Sequence, residues 1–271
     1  MIAVTAASGA YGRLVVAGLG RLLPAESVVA VVRAPERNED LAAEGVDVRR
    51  GDYDDPGSLR TAFKGVDRLL LVSSPELDPA RRIIQHRTAL DTARAAGVGH
   101  VVYTSFLGAG TRPEGVTAAH HATERALSDS GLPHTVLRHP FYSEAFLHAG
   151  LRDAVASGEL PHGTGGRGLN TAFRADLAEA AVRVLTEEHH LGRAHDFTGA
   201  RWTYPELAEV LTAVSGTPVV ARERTEPAPG AHGWLESQVR AGELELRTDD
   251  LAHVLGRPPV TLREAVTALL A

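Results

Sequence analysis

The sequence predicts an α/β fold built on a doubly wound parallel sheet, with a small, mainly helical C-terminal lobe. Three observations predict it. Short β-rich runs alternate with helical patterns through roughly the first 200 residues. Two of those runs, Val28–Val32 and Leu69–Val72, are apolar throughout, as parallel strands covered on both faces must be. The chain also opens on an apolar strand, a small-residue turn and a helix start: Met1-Ile2-Ala3-Val4-Thr5-Ala6-Ala7-Ser8-Gly9-Ala10-Tyr11-Gly12-Arg13.

In order, the predicted strands are Ile2–Thr5, Val28–Arg33, Val46–Arg50, Arg68–Ser73, His100–Ser105 and His134–Arg138, with Ala194–Thr198 a weaker seventh. Helical stretches fall near 10–23, 36–44, 57–64, 79–96 and 118–130. Asp55-Pro56 reads as an N-cap followed by a first-turn proline. Gly45, Gly97 and Gly131 stand where helices should end on a left-handed residue. After Arg138 the pattern changes. Residues 163–168, Gly-Thr-Gly-Gly-Arg-Gly, predict a flexible loop, and a helix follows at 174–187. From Trp202 to Ala271 the chain reads as mainly helical, interrupted by Val219–Ala221 and a Pro-rich stretch at 227–229. The expected division is a nucleotide-binding core of 1–139 and 168–199, and a substrate-side lobe of 140–167 and 200–271.

Composition narrows the function. The 271 residues are 44% hydrophobic and 23% charged, ordinary for a globular protein. A net charge of −6 disfavours a general nucleic-acid or anionic-membrane surface. The chain has no cysteine, which excludes disulfides, thiolate nucleophiles and iron–sulfur clusters and suits a reducing cytoplasm. No signal segment or membrane span is expected.

The opening strand–turn–helix is where a dinucleotide pyrophosphate would rest on exposed helix N–H groups. Thr5, Ala6, Ser8, Gly9, Ala10, Tyr11 and Gly12 are its candidate contacts. Gly9 would let the backbone approach the phosphates, and Gly12 would let helix and strand pack closely. A G-x-x-G-x-x-G run would need glycine at 6, 9 and 12, and position 6 is alanine. The second strand ends at Arg33. A guanidinium there, helped by Arg37, binds a 2′-phosphate that a carboxylate would repel, so NADP(H) is favoured over NAD(H). Asp52, just past the third strand, is a candidate contact for the adenine amino group, and Tyr53 beside it is a further candidate cofactor contact. Ser73 and Ser74 at the end of the fourth strand are candidates for the nicotinamide half, and Thr104 and Ser105 in the fifth are further candidate cofactor contacts.

These residues together resemble the NmrA-like branch of the atypical short-chain dehydrogenase/reductases, and within it the bacterial type 2 NAD(P)H:quinone oxidoreductases. The resemblance runs over nearly the whole chain. Its carriers include Gly51-Asp52-Tyr53, Leu71-Val72-Ser73-Ser74, Gln85-His86-Arg87, Tyr103-Thr104-Ser105, His120-x-x-x-Glu124, Leu137-Arg138, Tyr142-Ser143-Glu144 and Arg174-Ala175-Asp176. It implies a Rossmann-type fold, NADPH binding and reduction of a small quinone-like acceptor. The same branch holds reductases of imines or dyes, and proteins that bind NADP(H) to sense redox state without turnover. Two departures stand out: the family's first motif glycine is Ala6, and Ala145-Phe146 stand where an asparagine is usual.

The superfamily's Tyr-x-x-x-Lys pair is missing from the 118–130 helix. His120 and Glu124 occupy that spacing and share a helix face. His120 is the candidate to orient the nicotinamide ribose or give a proton near neutral pH, with Glu124 holding it. Tyr142 is the other candidate donor, provided a positive neighbour assists it. No metal site is expected. His120-His121 and His189-His190 would point apart on a helix, and no H-E-x-x-H spacing occurs. Oligomeric state is not legible in the sequence.

Overall fold

A computed structural model describes residues 1–226 and 228–271. Pro227, part of the expected Pro-rich interruption, lies outside the described residues. In chain order the elements are β1 (Ile2–Val4), α1 (Ala10–Gly20), β2 (Val28–Val32), α2 (Glu39–Ala43), β3 (Asp47–Arg50), α3 (Pro56–Ala62), β4 (Arg68–Leu71), α4 (Pro79–Ala95), β5 (His100–Phe106), α5 (Ala118–Asp129) and β6 (His134–His139). Then come α6 (Leu151–Ser157), β7 (Glu159–His162), β8 (Leu169–Asn170), α7 (Arg174–Thr186), β9 (Ala194–Asp196), β10 (Arg201–Trp202), α8 (Tyr204–Ser215), β11 (Val220–Glu223), α9 (Gly230–Arg240), α10 (Asp250–Leu255) and α11 (Leu262–Leu270).

Two compact units emerge: Met1–His139 with Leu177–Asp196, and Pro140–Asp176 with Phe197–Ala271. The sequence places 168–199 wholly in the nucleotide-binding core. The structure instead groups 168–176 and 197–199 with the second unit. The local reason is that β8 pairs antiparallel with β10, which sequence patterning of two residues cannot announce.

The first unit holds a seven-stranded sheet in the order β3-β2-β1-β4-β5-β6-β9, every pair parallel. The weak seventh strand is therefore real. Strand β2, Val-Val-Ala-Val-Val, is buried at all five positions, as a doubly covered strand should be. One face of the sheet packs Leu69, Leu71 and Tyr103 against Leu59, Phe63, Leu90 and Leu127 from the helices. Helix α3 starts as expected: Pro56 occupies its first turn and Asp55 Oδ1 accepts from Ser58 N–H at 3.1 Å. Gly45, Gly97 and Gly131 adopt φ of 84°, 77° and 73°. The predicted 36–44 helix is broken in two. A single 3₁₀ turn covers Pro35–Arg37, and α2 begins only at Glu39. The break is Asn38, non-helical at φ −135°, whose buried side chain donates to Ala34 O and accepts from Arg13 Nη2, each at 2.9 Å.

The second unit has its own apolar core, in which Phe146, Leu160, Leu169, Trp202, Leu207, Leu211 and Val266 are buried. Its helices α8 and α11 each begin with a reciprocal capping box, Thr203/Glu206 and Thr261/Glu264. The lobe is mainly helical but also carries two small sheets, β10-β8 and β11-β7. The Gly-rich loop after β7 is pinned rather than loose. Gly163 N–H donates to the buried carboxylate of Glu236 at 2.9 Å, and Gly165 N–H to Glu223 at 2.8 Å. No helix among the described residues is long and apolar enough to cross a membrane.

Candidate active site

The strand order reverses between β1 and β4, and the predicted cofactor residues gather at the carboxyl ends of these strands. Hydrogen bonds stitch the crevice together. Thr5 Oγ1 donates to Leu70 O at 3.1 Å and accepts from Val72 N–H at 2.9 Å. The Tyr53 hydroxyl lies 2.6 Å from Thr5 Oγ1 and 2.5 Å from Val72 O. Thr104 Oγ1 accepts from Ser73 N–H at 2.9 Å. Thr5, Tyr53 and Thr104 thus use their hydroxyls to lock the strand ends. Burial also raises the Tyr53 pKa, so it stays a neutral phenol. The Ser73 hydroxyl, by contrast, has no hydrogen-bond partner among the described residues, whereas Ser74 Oγ is held at 2.5 Å by Gln85 Oε1.

The turn after β1 fits a dinucleotide on its own geometry. Gly9 caps α1 without a side-chain hydrogen bond, and the helical ladder begins at Arg13 N–H to Gly9 O. The N-terminal dipole of the helix is left open to an anion. A Cβ on Gly12 would stand 2.5 Å from Ala6 O and 2.8 Å from Ala7 Cα, so only glycine permits this approach of helix to turn. Ala6 has φ 49°, alone among the described non-glycine residues in the left-handed region. The turn therefore keeps the conformation that a glycine would take, with a methyl added. Ser8 and Ala10 are exposed beside it, and Tyr11 is buried with its ring edge-on to His139.

Arg33 follows β2 directly and Arg37 lies in the 3₁₀ turn beyond it; both are exposed and form no salt bridge among the described residues, although the Asp54 carboxylate is near enough to feel the Arg33 charge. Arg13, by contrast, is tied to Asp40 and Asn38. Asp52 is half in a turn of its own making, since its Oδ1 accepts from Asp54 N–H at 3.1 Å.

The catalytic candidates separate. His120 is 5% exposed, and its Nδ1 lies 2.9 Å from the Tyr103 hydroxyl. Glu124 does not hold it. That carboxylate accepts from Ser105 Oγ at 2.5 Å and from Arg138 Nη2 at 2.8 Å, and Arg138 reaches on to Asp196. The shared helix face is real, but a guanidinium from β6 outcompetes an imidazole for a carboxylate. Sequence reasoning also missed two residues behind His120, namely Tyr103 and His86. Ser74 N–H donates to His86 Nε2 at 2.9 Å, so the His86 proton sits on Nδ1, 2.9 Å from Thr123 Oγ1. The Thr123 hydroxyl donates to Ala119 O. The Tyr103 hydroxyl lies 2.9 Å from His120 Nδ1 and 3.4 Å from His86 Nδ1; with the Tyr103 proton on the shorter contact, His120 carries its own on Nε2. Burial pushes the His120 pKa down to about 4 and that of His86 to about 3. Burial thus keeps the His120 ring neutral at pH 7, so any proton it gives comes from a neutral imidazole N–H.

In the second unit Tyr142 does have its positive neighbour, with the Arg174 guanidinium 4.5 Å above its ring. Burial nevertheless outweighs Arg174, and the Tyr142 pKa moves up. His189 and His190 also depart from expectation. They lie in the turn after α7, not on a helix, and their ring centroids are 4.0 Å apart. His120 and His121 do diverge, the latter facing Ala109 O at 2.7 Å.

A parallel sheet that reverses order beside an uncapped helix start defines a Rossmann-type dinucleotide-binding protein. Residues 6–188 match the NAD(P)H-binding family. The chain is 38% identical to quinone oxidoreductase 2 of Escherichia coli, over 99% of this chain and 98% of that protein. Among solved structures, it resembles the Citrobacter sp. triphenylmethane reductase complexed with NADP(H), with a TM-score of 0.94, 35% identity and 99% of both chains covered. It also resembles the Escherichia coli NADPH-dependent quinone oxidoreductase complexed with NADPH, with a TM-score of 0.89, 37% identity and both chains fully covered. The chain belongs to the NAD(P)H-binding, NmrA-like family and is an NAD(P)H-dependent oxidoreductase.

Proposed function

We propose that the protein reduces a flat, conjugated small molecule, a quinone or a delocalised cationic dye, at the expense of NADPH in the cytoplasm, without a nucleic-acid or membrane partner. The observation that carries this reading is the state of His120. Its ring is buried, neutral at pH 7 and fixed by Tyr103, so it offers an N–H and no ionised acid. A ketone needs its developing alkoxide protonated or strongly stabilised. A quinone or cationic dye instead spreads the arriving electron pair over its rings and can take a solvent proton later. Both relatives described above carry names that specify acceptors of this kind.

Bound NADPH supplies the hydride, and the chain's residues do the rest. The turn of Ala6, Ser8, Gly9 and Gly12 holds the pyrophosphate at the α1 N-terminus. Arg33 and Arg37, exposed and in no salt bridge among the described residues, would take the 2′-phosphate. The Ser73 hydroxyl and the His120 N–H hold the nicotinamide half. Tyr142 remains a protonated phenol and contributes a stacking surface and a hydrogen bond rather than a base.

The test follows NADPH oxidation against a panel of quinones, a triphenylmethane dye and a simple ketone. Turnover with the first two and none with the ketone is expected. Tight NADP(H) binding with no acceptor-dependent oxidation would overturn the reading in favour of a redox sensor. In the same assay Arg33→Glu should lower kcat/KM for NADPH about 10- to 100-fold, from loss of a charge-assisted contact, and affect NADH little. Equal losses for both cofactors would remove Arg33 from the 2′-phosphate site.

A further inference from the structure

We infer that Glu187, His189 and His190 form a binding site for a zinc-type divalent ion, in the turn that joins α7 to β9. The Nε2 atoms of His190 and His189 lie 3.3 and 3.5 Å from one carboxylate oxygen, Glu187 Oε2. All three ligand atoms fall within 4.8 Å of one another. A tetrahedral ion with bonds of about 2.0–2.1 Å needs ligand atoms about 3.3–3.4 Å apart. Two edges of that tetrahedron are therefore close to the required length, and rotation of the exposed His189 ring sets the third. Two imidazoles and one carboxylate, with a fourth position for water, make a nitrogen-rich set. Such a set suits zinc over magnesium or calcium, which prefer all-oxygen shells.

The surroundings hold the site in shape. His190 is buried, and its Nδ1 lies 3.2 Å from His195 Nε2. An Nδ1–H bond in that direction leaves the Nε2 lone pair of His190 for the ion, the usual arrangement behind a metal-bound imidazole. The backbone of the turn is fixed on both sides. Thr135 Oγ1 donates to His190 O at 2.7 Å, Gly192 N–H to His134 O at 2.8 Å, and Arg68 Nη1 to Leu185 O at 2.7 Å. His189 is 68% exposed, which gives an ion access from solvent. The turn precedes β9, at the amino end of the sheet, whereas the dinucleotide crevice is at the carboxyl end. The ion would clamp the edge strand and take no part in hydride transfer.

The experiment uses the full chain, free of any affinity tag and stripped with a chelator. It is titrated with Zn²⁺ by calorimetry and with Co²⁺ by visible absorption. Saturable binding of one equivalent, a tetrahedral Co²⁺ spectrum and a raised thermal midpoint with Zn²⁺ are expected. His189→Ala and Glu187→Gln, both on exposed or half-exposed side chains, should each weaken binding by about tenfold or more while leaving metal-free NADPH oxidation unchanged. Absence of saturable binding would overturn the site. So would equal affinity in the wild type and His189→Ala, which would place the ion elsewhere among the chain's 13 histidines.

Discussion

At the scale of single residues, Ala6 and Gly12 decide the shape of the cofactor turn. Ala6 holds φ 49°, a region that disfavours any residue with a Cβ by about 1 kcal/mol relative to glycine. Gly12 is irreplaceable for a different reason, since a methyl there would collide with backbone atoms of Ala6 and Ala7. One motif position thus tolerates alanine at the expense of strain, while the other has no space for it. Ala6→Gly should relieve the strain and raise stability by up to about 1 kcal/mol, the greater freedom of the unfolded glycine chain offsetting part of the gain. Urea unfolding measures this, and a clear loss of stability would show that the alanine methyl makes a compensating contact. His120 makes the same point about chemistry. Its role is set by which of its nitrogens carries the proton, and Tyr103 sets that.

At the scale of elements, polar chains bind neighbouring strands and helices around the site. Ser105 on β5, Glu124 on α5, Arg138 on β6 and Asp196 on β9 form one such chain. A second runs from Ser74 through His86 on α4 and Tyr103 on β5 to His120 on α5. All of its links are buried, so each donor has few alternatives and the network is rigid. Tyr103→Phe keeps the ring packed but removes the proton directed at His120 Nδ1. Stability should fall by about 1–2 kcal/mol from the unsatisfied buried nitrogen. Turnover number should fall several-fold, with KM for NADPH little changed. If Tyr103 only fills space, kcat will match the wild type once the folded fractions are equal.

At the scale of the whole molecule, buried neutral histidines make stability sensitive to acid. His86, His120 and His139 are 0%, 5% and 3% exposed, and burial lowers their pKa values to about 3, 4 and 3. Unfolding restores each to about 6.5. Between pH 6.5 and 4 the unfolded chain therefore binds more protons than the folded one, and stability falls as pH falls. Each histidine contributes up to about 1.4 kcal/mol per pH unit across that window, with nothing further to lose above pH 7. Urea midpoints at pH 7 and pH 5 test this, with a marked drop expected at pH 5. An unchanged midpoint would mean that these rings take up protons without unfolding.

The sequence by itself determined the sheet and the turn after its first strand. Unbroken apolar runs such as Val28–Val32 admit only strands covered on both faces, and a strand–turn–helix with Gly9 and Gly12 makes an anion site from local backbone geometry alone. Arg33 was legible for the same reason, because its position at a strand end follows from the strand. Tertiary structure decided what depends on partners distant in the chain. Glu124 turned from His120 to Arg138 because β6 delivers a guanidinium to it. Tyr103 and His86, in the sequence only carriers of the family resemblance, took on a part at the site when the fold joined them to His120. Residues 168–176 joined the second unit through a two-residue pairing of β8 with β10. His189 and His190 came together because α7 stops at Thr186 and both fall in the turn that follows. Periodicity encodes which face of an element is buried, whereas the charge state and partner of a polar side chain depend on what the fold places across from it.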